Sequence, residues 1–556
     1  MTTYSFPALG GTQDVFYPRS STSDLPTIVS GDGVYLVDDA GRRLLDVCSG
    51  PFLASLGQGN ERVLGSMLTQ GRRLSYTYSR TTRHSANAEL TERLASLAGP
   101  GFERAHLTSG GSEAVEMALK LLRVHAVATG HPERHRVISL MPGYHGATLQ
   151  TLALNGDIGA RALWGPLAVA SEKIPAPLTF RAPSAEAAAE TSCRALEATI
   201  SAVGPETVLA FVMEPVGGQA SGVNVPHPSF ARRAREICQR YGVHLVFDEV
   251  VSAFRTGRFL AAHHDPEASP DVVVLAKGLA AGYAPLGAVL VSAALVEEVA
   301  ATTGFVVSHS YDANPIACAA GSAVLDEIVE RGLIEGAGTL GARLRAGLER
   351  IARSSPLVGD VRGRGLLLAL ELVRDKETNE RFPEHVDPAA TIRRHGLEHG
   401  LLLYSRRQNA GRYGDWLLVA PPLVIDEPTC DELIDRLEAT FAAGTDEVFA
   451  SLKPSPAFPA GAALLHPESK EFFMDTAARV TSKGQVTIPK AVRDALGIRR
   501  GGEVVFRVEG RRAVLARTPD FLALAGTVVV PAAKRNTAWD EVMRRARSSR
   551  AATKVP

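Results

Sequence analysis

Residues 102–123 read FERAHLTSGGSEAVEMALKLLR. Strand-forming residues run to Thr108, a Ser109-Gly110-Gly111-Ser112 turn follows, and apolar residues at 115, 118, 119 and 122 then mark one face of a helix. The same alternation recurs. RVISL (136–140), VLAFVMEP (208–215), HLVFDEVV (244–251) and DVVVLAKG (271–278) are apolar runs that read as strands. Helical patterns lie between them, such as SFARRAREICQRYG (229–242), which stops on a glycine. Strands apolar on both faces, alternating with helices, predict an α/β layer built on a mostly parallel sheet.

From about 315 to 450 the pattern changes to helices with short strands near GLLLALEL (365–372) and DWLLVAPPL (415–423), predicting a smaller α+β domain. The stretch GVYLVDDAGRRLLDVCSG (33–50) has a hairpin pattern and is expected to join it. The expected organisation is an N-terminal segment 1–60, a large domain 61–314, a small domain 315–450, a Pro/Ala/Ser-rich linker 451–473, a module 474–520 and a tail 521–556.

Length and composition agree with a multidomain globular chain: 556 residues, 45% hydrophobic and 22% charged. Lys+Arg and Asp+Glu balance at 60 each, but unevenly along the chain. From Met474 onward there are 17 basic and 7 acidic residues, against 43 and 53 before it, so a basic module follows an acidic body. The five cysteines have neither metal nor redox spacing, which points to a reducing, cytoplasmic setting without a metal site. The N-terminus MTTYSFPALGG lacks the basic start and apolar run of a signal peptide, and no apolar run is long enough to span a membrane.

In an open parallel sheet, functional side chains gather at the carboxyl ends of strands. Here these ends carry Glu214, Asp248 and Lys277, and the glycine turn at 109–112 leads into a helix N-terminus. Two glycines and a helix dipole can cradle a phosphate, although a plain glycine turn capped by Ser112 would read the same locally. The chain has no GxGxxG and no Walker A loop. A lysine, an aspartate 29 residues before it and a phosphate loop together point to pyridoxal 5'-phosphate, which needs an amine for its aldehyde and an acid beside its ring nitrogen. Burial would lower the lysine's pKa and make it reactive.

SGGSEAVEMALK, GYHGAT (143–148), EPVGG (214–218), FDEV with RTG (247–250, 255–257) and LAKGL (275–279), followed by VRGRGLLLALEL (361–372) and APPLVI (420–425), resemble the class III aminotransferases of PLP fold type I, in order over about residues 10 to 445. The resemblance implies transfer of an amino group from an amino donor to an oxo acceptor by a ping-pong route. It implies Lys277 as the lysine that holds the cofactor and shuttles a proton, and Asp248 as partner of the ring nitrogen. Val250 and Tyr144 would flank the ring, Gly110, Gly111 and Ser112 would hold the phosphate, and Glu214 would shape the pocket. Ser310, in SHSYDANPIACAAG (308–321), stands where the family has a threonine that reaches the phosphate of a neighbouring subunit, which implies a homodimer with shared sites. DEVVSAFRTG is one residue shorter than the commoner family form. Arg80, Arg83, Arg255, Arg406, Arg407 and Arg412 are candidates for a substrate carboxylate. A decarboxylase or aminomutase on the same fold, or a PLP-sensing regulator, would share these residues.

The module RVTSKGQVTIPKAVRDALGIRRGGEVVFRVEGRRAVLAR (479–517) reads as strands, a helix opened by Pro489 and closed by Gly497, then a hairpin. It resembles the AbrB/SpoVT swapped-hairpin family, which includes VapB- and MazE-like antitoxins. That resemblance implies DNA binding through residues 474–520, with Arg479, Lys483 and Arg493 as contacts mainly to phosphates. It also implies a toxin partner for the tail.

Overall fold

The computed structural model describes residues 25–305, 307–452, 504–509 and 512–517. The chain divides into two compact units near Gly461.

The first unit opens with β1 (Ile28–Asp32), β2 (Tyr35–Asp38) and β3 (Arg43–Asp46), paired antiparallel in that order. The β2–β3 hairpin turns on Asp38, whose carboxylate accepts the amides of Ala40 at 3.1 Å and Arg42 at 2.7 Å. A short acid that mimics a backbone turn explains why DDAG reverses the chain there.

The central sheet contains β4 (Arg104–Thr108), β5 (Arg136–Met141), β6 (Glu172–Pro175), β7 (Val208–Met213), β8 (His244–Asp248), β9 (Val272–Leu275) and β10 (Gly287–Val291). Their order is β4-β10-β9-β8-β7-β5-β6. Strands β5 to β9 run parallel, and β10 is antiparallel to both its neighbours. Every residue of β7 and of β9 is buried, as helix-covered faces require. Each such Val or Leu contributes roughly 1.5–3 kcal/mol by leaving water. Helices Gly111–Ala128 and Pro228–Tyr241 are among the crossovers. The second has proline at its start and ends on Gly242, at φ 62.

Strand β8 stops at Asp248, three residues short of the apolar run that predicts it. The Asp248 carboxylate accepts the amide of Val250 at 3.1 Å and turns the chain out of the sheet, while the Glu249 amide still reaches the Val274 carbonyl at 2.9 Å.

The C-terminal half of this unit contains β11 (Val358–Arg364), β12 (Leu367–Leu372), β13 (Leu401–Leu402), β14 (Tyr404–Gln408) and β15 (Gly414–Val419). An antiparallel sheet forms in the order β11-β12-β15-β14. Strand β13 instead pairs in parallel with β3, Leu401 opposite Leu45, so the N-terminal hairpin is completed by residues near position 400. Helices Pro315–Glu330, Leu333–Ser354, Pro388–Glu398 and Glu427–Ala450 accompany these strands. Among the described residues no helix is long and apolar enough to cross a membrane.

In the second unit β16 (Val504–Glu509) and β17 (Arg512–Arg517) form an antiparallel hairpin, Glu509 opposite Arg512. Arg479, Lys483 and Arg493, most of the linker read at 451–473 and the tail 521–556 lie outside the described residues.

Candidate active site

The carboxyl ends of β7, β8 and β9 and the start of the helix Gly111–Ala128 surround a cavity of about 410 Å³. Gly110, Gly111, Ser112, Tyr144, Glu214, Asp248, Val250 and Lys277 all line it. Ser310 does not line it and is exposed.

At one end the helix begins on Gly110 with no side chain capping it. Its first amides are therefore open to an anion. Ser112 is not the cap: its Oγ accepts the amide of Ala147 at 3.0 Å. A Cβ on Gly111 would stand 3.2 Å from Val250 and 3.4 Å from Ala276, so glycine keeps the cradle floor clear. Gly146, at φ +141, is tighter, because a Cβ there would lie 2.5 Å from the Thr151 hydroxyl and 2.7 Å from that of Ser112.

Lys277 follows β9 in a left-handed conformation, φ +45, unusual for a lysine. Burial pushes its ammonium below the ordinary lysine range, against the pull of the Asp248 and Glu214 carboxylates. Its Nζ stands 5.4 Å from the centre of the Phe52 ring. The chain thus ends a buried strand on a strained amine in a cavity that can use it.

Asp248 is held on both oxygens. Oδ1 accepts the Val250 amide, and Oδ2 lies 2.9 Å from Nδ1 of His145. The His145 ring is buried, and its Nε2 has no partner among the described residues. The backbone around it is pinned by Asn155, which accepts the His145 amide at 2.6 Å and donates to the Gly146 carbonyl at 2.8 Å. Sequence reasoning passed over His145 and Asn155, although GYHGAT contains the histidine. Glu249, beside Asp248, serves another purpose: it accepts the Ala262 amide at 2.8 Å and the Ser252 hydroxyl at 2.9 Å, with its carboxyl pushed up to about 7 by burial.

Glu214 bridges two loops, accepting the Tyr144 amide at 3.2 Å and the Gly218 amide at 2.8 Å. Burial raises its pKa, and burial likewise raises that of the Tyr144 phenol. Phe52 and Tyr404, which the sequence did not single out, meet edge to face at 6.0 Å, and the Tyr404 hydroxyl donates to Gln219.

The candidate arginines separate by environment. Arg255 is 1% exposed and donates to the carbonyls of Ala420 at 3.2 Å and Pro421 at 2.9 Å, so it clasps the chain internally and is closed to substrate. Arg407 is committed to the Val386 and Pro383 carbonyls and to Asp415. Arg80, Arg83 and Arg412 are exposed. Arg406 is half-buried, bonds Asp157 at 3.2 Å and Gln408 at 3.1 Å, and is close enough to offset the rise in the Tyr144 pKa.

An open anion cradle, a buried carboxylate and a buried primary amine on one cavity form the donor set that pyridoxal 5'-phosphate requires.

Comparison with known proteins agrees with this chemistry. Residues 16–441 match the family model for aminotransferase class-III, and residues 477–520 match that for antidote-toxin recognition MazE, bacterial antitoxin. An uncharacterized aminotransferase of Schizosaccharomyces pombe is 34% identical over 426 residues, 75% of this chain and 92% of that protein. The putrescine–pyruvate aminotransferase of Pseudomonas aeruginosa is 32% identical over 75% of this chain and 91% of its own length. Among solved structures, an amine transaminase from an uncultivated Pseudomonas species in its PLP-bound form has TM-score 0.72 and 31% identity, covering 80% of this chain and 99% of that one. The ω-transaminase of Pseudomonas jessenii in complex with PMP has TM-score 0.72 and 29% identity, covering 76% and 94%. The fold, the cavity and these matches agree: the chain belongs to the class III aminotransferases, PLP-dependent enzymes of fold type I.

Proposed function

We propose that the cavity moves an amino group between a primary amine donor and an oxo acid acceptor by a ping-pong route, and that Lys277 and Asp248 are its catalytic residues. The observation that carries this reading is that both side chains line one cavity with the glycine cradle. When bound, pyridoxal 5'-phosphate supplies an aldehyde that takes up the amine and a ring that delocalises the electrons left when Cα loses its proton.

The chain's own residues do the rest. The open amides at Gly110, Gly111 and Ser112, with the Ser112 hydroxyl, bind the phosphate. The Asp248 carboxylate, fixed by His145 and the Val250 amide, keeps a proton on the ring nitrogen. Val250 and Tyr144 flank the ring, and Glu214 holds the Tyr144 loop in place. Lys277 Nζ would accept the Cα proton, and the burial that depresses its ammonium favours the free base that does so. The donor's oxo product leaves before the acceptor enters, and the same groups then act in reverse. Arg406, beside Tyr144, receives the acceptor's carboxylate. An amine donor and an oxo acid acceptor are supported by the putrescine–pyruvate aminotransferase among the relatives.

The test is the spectrum and half-reaction of purified protein. The bound cofactor should give a visible band that a donor bleaches, and Lys277→Ala should abolish both the bleaching and turnover. Release of CO2 in place of bleaching would move the chain to decarboxylase chemistry.

We also propose the domain division stated above and a homodimer. Leu64 (43% exposed), Leu68 (56%) and Tyr311 (64%) are large apolar side chains left open on one subunit, and the exposed Ser310 is available to a partner's phosphate. Light scattering of the purified protein tests the dimer. For residues 474–520 we propose DNA binding through Arg479, Lys483 and Arg493, with the tail 521–556 as a toxin contact. The MazE match and the basic surplus support this. Gel-shift affinity that falls steeply with salt, and falls further in Lys483→Ala, is the expected result.

A further inference from the structure

After β6 and after β12, the chain of the first unit lines a second hollow of about 690 Å³, formed by Arg181, Thr378, Asn379, Glu380 and Arg381. Its cations outnumber the carboxylates free to meet them. The Arg181 side chain is 18% exposed; Nη1 donates to Glu371, Nε donates to the Asn379 carbonyl at 2.9 Å, and Nη2 is enclosed with no partner among the described residues. Glu371 has no oxygen to spare, since its Oε2 takes Nη2 of Arg362 at 2.5 Å. Glu380, on the wall, is taken by Arg374. Arg381 is exposed and makes no hydrogen bond or ion pair among the described residues; partial burial and the Arg181 charge act against its own, and the Glu371 and Asp415 carboxylates act for it.

Two guanidinium groups line this hollow; Arg181 shares Glu371 with Arg362, and a bound oxyanion would add a second acceptor that both guanidinium groups can meet. The planar guanidinium fork matches carboxylate and phosphate oxygens. We propose that this hollow binds a small oxyanion, a phosphate group or a carboxylate, at the guanidinium groups of Arg181 and Arg381 that line it. The site is separate in its residues from the aminotransferase cavity and does not depend on the roles proposed there. Through Arg181, Glu371 and Arg362, whose Nε donates to the Gly222 carbonyl at 2.5 Å, the hollow is linked by hydrogen bonds to the loop that follows Glu214.

Calorimetric titration of the full-length, cofactor-loaded protein at fixed ionic strength tests this. Inorganic phosphate is titrated in one arm and succinate in the other. Arg381→Gln, at the exposed rim, leaves the fold intact and should weaken the saturable binding at least tenfold. Arg181→Lys, which keeps the charge on Glu371 but loses the fork, should weaken it as well. Binding of phosphate alone assigns the phosphate class, and binding of succinate alone the carboxylate class. No saturable heat with either titrant, or binding in Arg381→Gln equal to the parent, overturns the proposal.

Discussion

His145 Nδ1 stands 2.9 Å from Asp248 Oδ2, with both side chains buried. The Asp248 carboxylate is therefore held by a second side chain and by the Val250 backbone amide. A hydrogen bond to a charged group contributes about 1.5–3 kcal/mol, so His145→Ala should lower kcat roughly tenfold to a hundredfold with KM nearly unchanged. Asp248→Asn removes the charge itself; at about 2–5 kcal/mol the loss should reach at least thirtyfold. Steady-state kinetics of the two variants check the order. Equal activity in His145→Ala and the parent would leave the histidine a packing residue.

Gly146→Ala probes the cradle. The added methyl must displace Ser112 or Thr151, and the backbone there already sits at φ +141. Strain of about 1–3 kcal/mol is expected, read as roughly fivefold to hundredfold weakening of cofactor retention in dialysis, with the fold preserved by circular dichroism.

Lys173 gives the pH prediction. Burial, with repulsion from Arg161, pushes its amine down to about 7 from an ordinary 10.5, and its Nζ is shared by Ser139 at 2.6 Å and Ser171 at 2.9 Å. Between about 7 and 10.5 the unfolded chain holds a proton that the folded chain has lost, so stability rises with pH across that window. The contribution is at most about 1.4 kcal/mol per pH unit and is constant below the window. Lys173→Met should remove this slope. Urea unfolding of parent and variant from pH 6 to 10 measures it, and parallel curves would refute the assignment.

Arg255 and Arg406 should part in assays. Arg255→Met leaves the Ala420 and Pro421 carbonyls without their donor and should lower stability by about 1–3 kcal/mol. Arg406→Ala should raise KM for an oxo acid about tenfold and leave Tm within a few degrees. A stable Arg255→Met with a raised KM would reverse the two roles.

The sheet and its cavity were legible because their signals are local. VVVL, VLAFVM and the apolar face at 115, 118, 119 and 122 each reflect burial, and Lys277, Asp248 and the glycine pair break those patterns at strand ends. His145 was hidden because one histidine in a glycine loop carries no periodicity; its meaning comes from Asp248, 103 residues away. Sequence could not separate Arg255 from the other candidate arginines for the same reason, since its partners are carbonyls at 420 and 421. Strand β1 went unread because its residues IVSGD are mostly exposed, with little apolar alternation.

The pairing of β3 with Leu401–Leu402 sets a timetable for synthesis. Strand β3 keeps an open edge during synthesis until Leu401–Leu402 has been translated, because that closing partner is encoded far downstream. Nascent chains halted before that point expose a sticky hairpin, which makes them natural clients for chaperones. A truncation that removes Leu401–Leu402 in an expression experiment recreates the same unfinished edge.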